Sequence, residues 1–160
     1  MEITSVLDIY HIQNEITDDV ILSIQKDEKF RVDLVSYFRQ NAEREFSISL
    51  VDKFISIRQN PNGNMPTEDL MLACYILGLH NKVEDCLKIW EAKNVDFDTY
   101  CGLDIQLLPF AGVSKTIEFL NNSTSPEAKK ALDYMNGCLA AGDFGDLEEY
   151  YSNESMPWFI

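Results

Sequence analysis

No stretch of this sequence approaches the ~20 consecutive apolar residues needed to span a bilayer. The opening run, MEITSVLDIYHIQNEITDD, lacks the basic segment and long apolar core of a secretory signal. Histidine is nearly missing: His11 and His80 stand far apart and share no ligand spacing. The four cysteines, Cys74, Cys86, Cys101 and Cys138, form no CxxC pair. Without clustered ligands a metal site is not expected, and without an export signal the cysteines read as reduced thiols. There is no GxSxG elbow, P-loop, GxGxxG or HExxH, and the acids do not follow the twelve-residue calcium-loop pattern. Bases are scarce: 13 Lys and Arg face 27 Asp and Glu, a formal charge of −14. A field of that sign repels nucleic acid and anionic lipid and attracts cationic partners. Taking the chain as complete, these absences point to a cytoplasmic protein with no cofactor, no nucleic acid and no membrane contact.

What is present is 160 residues, 46% of them hydrophobic, enough for a single domain with its own core. Apolar positions recur at helical spacing. Ile3, Val6, Leu7 and Tyr10 mark a first helix. Thr17 followed by Asp18 and Asp19 predicts a second, with a hydroxyl cap and acids at the positive end of the dipole. Phe30, Leu34, Val35, Phe38 and Ala42 form the stripe of a helix over 30–44. Residues 46–58 alternate like a strand at Phe46, Ile48 and Leu50, yet repeat like a helix at Leu50, Val51, Phe54 and Ile57. A lone strand has no partner, so a helix is expected. The run QNPNGNMP (59–66) is the strongest loop and a candidate lobe boundary within residues 1–160. Thr67 caps the next helix and Asn81 caps one over 82–94. Asp98 caps a short helix at 99–108 that Pro109 ends, and residues 113–121 form another. Ser125-Pro126-Glu127 is a strong helix start. A last helix covers 144–151.

A spacing pattern runs through the second half. Gly78, Gly112 and Gly142 are each followed five positions later by an apolar residue (Val83, Ile117, Leu147), and at eight or nine by another (Leu87, Leu120, Tyr150). A helix that ends in glycine, turns and starts an antiparallel partner produces this. The expected fold is therefore all-α, built of stacked antiparallel helical hairpins in an α-solenoid-like bundle. Neither the ankyrin nor the tetratricopeptide consensus is present.

Three groups of residues invite a chemical reading. Asp96, Asp98 and Asp104 are the first candidates for a catalytic acid pair, but nothing in the sequence makes them converge, and acid–base work needs geometry. Cys101 lacks a base, and its neighbours are acids, which oppose a thiolate. No catalytic residue is assigned. The run GDFGDLEEYYSNE (142–154) holds Asp143, Asp146, Glu148, Glu149 and Glu154 with Tyr150 and Tyr151, and no Lys or Arg. Acids with aromatics suit a protein interface, the carboxylates for Arg and Lys and the rings for buried area. The alternative is a solvated acidic helix whose following aromatics, Trp158 and Phe159, pack back onto the core.

The segment EAKNVDFDTYCGLDIQLLPFAGVSKTIEFL resembles stretches of bacterial immunity proteins from contact-dependent inhibition and related polymorphic-toxin systems. The DFDTYCGLD run and the hairpin LLPFAGVSKTIEFL carry the resemblance. It implies a small, all-helical, non-enzymatic protein that binds and neutralises one cognate toxin, in many cases a basic nuclease domain. On this reading the partner-binding face comprises Asp96, Asp98, Tyr100, Asp104, Asp143, Asp146, Glu148, Glu149, Tyr150 and Tyr151. The competing expectation is a helical-repeat adaptor or scaffold subunit of a larger complex.

Overall fold

The computed structural model describes residues 1–160, and every regular element in it is helical. In chain order these are α1 (Ile3–Gln13), α2 (Asp18–Lys26), α3 (Glu28–Phe38), α4 (Arg44–Gln59), α5 (Thr67–Gly78), α6 (Cys86–Lys93, preceded by a 3-10 turn at Val83–Asp85), α7 (Phe97–Gly102), α8 (Val113–Asn122), α9 (Pro126–Ala141) and α10 (Leu147–Tyr150). A second 3-10 turn at Ile105–Leu107 follows α7.

The core is organised by α5. Its residues Asp69–Gly78 are all buried, because LMLACYIL is apolar on every face, not along one stripe, and Asp69 is paired with Arg31. Full burial of each large apolar side chain there contributes roughly 1.5–3 kcal/mol. Helix α4 packs along α5, and the loop 60–66 joins the two. Helices α6 and α7 and the second 3-10 turn cover other sides of α5. The N-terminal α1 and α2 pack on α3, and α8 pairs with α9. One cluster of buried side chains runs from Val6 to Phe159.

The glycines that share a spacing do three different jobs. Gly78 is the last residue of α5, and a Cβ there would lie 2.1 Å from the Phe110 ring, so the position needs a bare backbone. Gly112 precedes α8 with φ +104°, starting a helix, not ending one. Gly142 is a left-handed cap on α9 with φ +88°. The pattern does not mark three equivalent helix ends.

Other departures have local causes. The helix expected over 30–44 ends at Phe38: the Tyr37 carbonyl accepts from the Gln40 amide (3.0 Å), the Asn41 amide and Asn41 Nδ2 (both 2.9 Å), and the ladder goes no further, since the Ala42 amide makes no bond to Phe38. Residues 46–58 are helical within α4, as expected. Asn81 is left-handed (φ 57°) and caps nothing. Thr67 begins α5 without a capping bond from its side chain. The cap of α7 is Asp96, not Asp98: its carboxylate accepts from the Thr99 amide while the Thr99 hydroxyl accepts from the Asp96 amide. Ser125 caps α9 as expected, accepting from the Ala128 amide at 3.0 Å. Finally, residues 99–108 are not one helix. Lys93, 2% exposed, donates to the carbonyls of Tyr100 (2.7 Å) and Leu103 (2.6 Å), which a continuing helix would offer to its own amides. The chain breaks there, and the break delivers Asp104 to the far corner of the molecule's second half.

Candidate functional site

The corner is built from the turn at Asp104–Leu107, helix α10 and the segment 151–160. Gly142 ends α9 with its own amide bonded to Leu139 O (3.2 Å) and the next amide bonded to Cys138 O (3.0 Å), which turns the chain back. Gln106 then donates to Asp143 O at 2.9 Å and ties the two stretches together. Past α10, the segment is strapped down by two arginines of α3. Arg39, which follows that helix as its C-cap, donates to the carbonyls of Ser152 (3.2 Å), Asn153 (3.4 Å) and Ser155 (2.8 Å) and to the Tyr75 hydroxyl (3.0 Å). Arg31 donates to the Phe159 carbonyl and pairs with buried Asp69 at 2.5 Å. The Phe159 ring is buried edge-on against Tyr75, with centroids 6.0 Å apart.

This folding-back sorts the aromatics. Tyr151 stacks on Phe110 with centroids 4.3 Å apart and donates to the Gln106 carbonyl. Tyr150 donates to Asp104 Oδ2 at 2.9 Å, and the Trp158 indole N–H donates to the same oxygen at 2.8 Å. Burial, then the neighbouring Asp104 charge, pushes the Tyr150 phenol far above its ordinary range, and burial does the same to Tyr151, so both are hydroxyl donors at any relevant pH. Trp158 remains 64% exposed while its neighbour Phe159 is buried. Trp158 borders a cleft of about 350 Å³ lined also by Asp146, Glu149, Tyr150, Ser155, Met156 and Pro157.

The ten residues expected at a partner face divide into two groups. Asp104, Asp143, Asp146, Glu148, Glu149, Tyr150 and Tyr151 gather at this corner. Of these, Tyr151 is half-buried against Phe110, and Tyr150, also half-buried, lines the cleft. Asp96, Asp98 and Tyr100 belong to α7. There the Arg58 side chain from α4 grips Asp96 in a two-pronged contact (2.6 and 3.1 Å) and lies 3.7 Å from Asp98. The Arg58 hydrogen bond holds the Asp96 carboxyl below its ordinary range. Tyr100 is 40% exposed, its ring edge-on to Tyr134 with Lys93 above it.

The contrast at the corner is electrostatic. No lysine, arginine or histidine of the chain lies within 4.0 Å of a carboxylate of Asp104, Asp143, Asp146, Glu148, Glu149 or Glu154. No Lys or Arg follows Lys130 in the sequence, and Arg39, which reaches the segment after α10, is engaged with carbonyls. No group of three or more His, Cys, Asp or Glu side chains is placed to hold a metal ion. All four cysteines are free, Cys101 exposed on α7, and burial raises Cys86 to about 12. No helix is long and apolar enough to cross a membrane.

Trp158, Met156 and the clamping Arg31, Arg39, Arg58 and Lys93 are not among the residues the sequence nominated. A signal for some of them existed. Lys93 continues the buried face of Cys86, Ile89 and Trp90, and Arg31 and Arg39 are eight residues apart, two helical turns on one face. No protein-family model, curated protein or solved structure matches this chain.

Proposed function

We propose that this chain is a non-enzymatic immunity protein of the cytoplasm. It binds and neutralises a cognate toxin domain of basic character, a nuclease in the first instance, through the acidic corner of α10, the Asp104 turn and the segment 151–160. The observation that carries the reading is the set of carboxylates left without a cation of the chain's own, around a cleft whose aromatic walls are pinned by hydrogen bonds. A nuclease cleft is positive because it must hold phosphates. An acidic face steers toward it and speeds association. The exposed Trp158 ring supplies the aromatic anchor that a tight interface needs beneath its charged rim. A stacked-hairpin scaffold subunit is the second reading. It is supported by the packed pairs α4–α5 and α8–α9, and the same acidic corner serves it with a basic partner that is not toxic.

The test is co-expression with the toxin encoded next to this gene. The expected result is survival of cells that carry both and death of cells that carry the toxin alone. Equal death with and without this protein, or a neighbouring gene that encodes no toxin, overturns the immunity reading and leaves the scaffold reading. Association of the purified pair should slow steeply between low and high ionic strength, since screening removes the steering.

A further inference from the structure

We propose that the cleft beneath Trp158 receives one arginine side chain of the protein partner, whose guanidinium lies on the indole face and bonds to the carboxylates of Asp146 and Glu149. The inference deepens the reading of this corner as the partner face and rests on it.

Three independent features converge. The first is the indole itself. Trp158 stands 64% exposed while the next residue, Phe159, is buried. What holds it out is Asp104 Oδ2, which accepts from the indole N–H (2.8 Å) and from the Tyr150 hydroxyl (2.9 Å). One carboxylate thus fixes two aromatic walls before any partner arrives, which reduces the ordering that binding would otherwise require. The second is the shape. A cleft of about 350 Å³ lies at the small end of ligand-pocket sizes, suited to a single long side chain and not to a helix or a strand. Met156 and Pro157 offer apolar contact for an arginine stem, and Trp158 offers a flat face for its planar head. The third is charge. Asp146 and Glu149 line the opening and are met by no cation of this chain.

These features favour arginine over lysine. A guanidinium stacks on an aromatic ring and engages carboxylates through a rigid fork, and it sheds water more readily than an ammonium. A lysine would meet the same charges as a strongly hydrated point, with no use for the flat wall.

The probes are three short capped peptides, Ac-Gly-X-Gly-NH2, in which X is arginine, lysine or citrulline. They are titrated into the full chain and followed by amide and indole resonances in nitrogen–proton correlation spectra. The arginine peptide should move the Trp158 indole resonance and the amides of residues 149–158 along a saturable curve, while the buried Trp90 indole stays still. The lysine peptide should bind at least about threefold more weakly, and citrulline, isosteric but neutral, should produce no saturable shift. Trp158→Leu keeps apolar bulk without the ring face and should weaken the arginine peptide about 2–5-fold, read from the backbone amides. Glu149→Gln tests the carboxylate without altering the fold. Equal shifts from arginine and citrulline, equal binding of arginine and lysine, or no saturable shift at all overturns the arginine site. If that happens while charge reversal at this corner still abolishes binding to the toxin, the immunity reading stands and only the pocket assignment fails. If the arginine peptide binds as expected but charge reversal leaves toxin binding intact, the pocket stands and the partner-face reading fails.

Discussion

The turn at Asp96–Asp98 and the corner at Asp104–Trp158 are both acidic and both aromatic, and in sequence they look alike. In three dimensions they are opposites. At the turn, Arg58 reaches across from α4 and holds both aspartates, and Asp96 also caps α7. At the corner two arginines approach as well, but Arg31 and Arg39 donate to backbone carbonyls of the strapping segment, and the corner's carboxylates form no ion pair, Asp104 accepting only from Tyr150 and Trp158. The same kind of cation therefore neutralises one region and merely positions the other. Charge counted along a chain is not surface potential, because the neutralising group comes from a distant helix. The turn's acids support the fold, and the corner's acids are available to a partner.

The largest effect that could break this comparison is on binding. Reversing Asp146 and Glu149 together to lysine should weaken the toxin complex by at least about 100-fold, about 2.7 kcal/mol, as expected when charges face the wrong sign across an interface. The thermal midpoint should hardly change, since both side chains are exposed and neither makes an ion pair. Reversal of Asp98, also exposed but beside Arg58, should cost less than about threefold. Equal losses at the two places would mean that only net charge matters.

A smaller effect, on stability, tests the turn. Arg58 is 12% exposed and bonds to Asp96, the buried Met65 carbonyl (2.6 Å) and the Thr67 hydroxyl (3.3 Å). Arg58→Ala takes this donor from the Met65 carbonyl and the Thr67 hydroxyl and leaves Asp96 only the Thr99 amide, and should cost about 2–3 kcal/mol in urea unfolding. It also frees two carboxylates. If negative charge anywhere on the surface drew the partner, this variant would bind more tightly. The expectation is an affinity unchanged within about twofold once the protein is folded, measured by calorimetry.

The all-helical class was readable from periodicity, because apolar stripes at Val6–Tyr10, Phe30–Phe38 and Leu50–Phe54 are set by local spacing alone. The start at Ser125-Pro126 was readable for the same reason: cap, proline and helix lie within four residues. What escaped depends on side-chain partners outside the segment concerned. Gly102, the last residue of α7, is a local signal for the break within 99–108, but nothing there shows that Lys93 on the preceding helix takes the Tyr100 and Leu103 carbonyls. The shared glycine spacing misled for a related reason: Gly78 answers to the Phe110 ring, whereas Gly112 and Gly142 answer to their own backbone angles. At the site, the acids were visible by composition. That Asp96 serves Arg58 while Asp104 pins Tyr150 and Trp158 was not, because each partner is at least 38 residues away.

The smallest effect sharpens the comparison from the side of pH. The Arg58 hydrogen bond holds the folded Asp96 carboxyl below its ordinary value of 3.8, opposed by some desolvation and aided by the Thr99 amide. A depressed acid stabilises the fold at pH above its unfolded value. As pH falls below about 4 the unfolded chain takes up the proton first, and the contribution is lost through the folded value. Asp96→Asn keeps a competent cap and removes the titrating group. The wild type should exceed this variant by less than about 1 kcal/mol at pH 7, since the carboxylate is 40% exposed and solvent screens the pair. The gap should close between about pH 4 and the lower pH at which folded Asp96 takes its proton, as followed by urea midpoints at successive pH values. In an Arg58→Ala background the gap should shrink to the smaller part that the Thr99 amide sustains. A gap undiminished there, or one that survives at the acid end, would assign the role of Asp96 to its helix cap alone and would remove the neutralised half of the contrast between turn and corner.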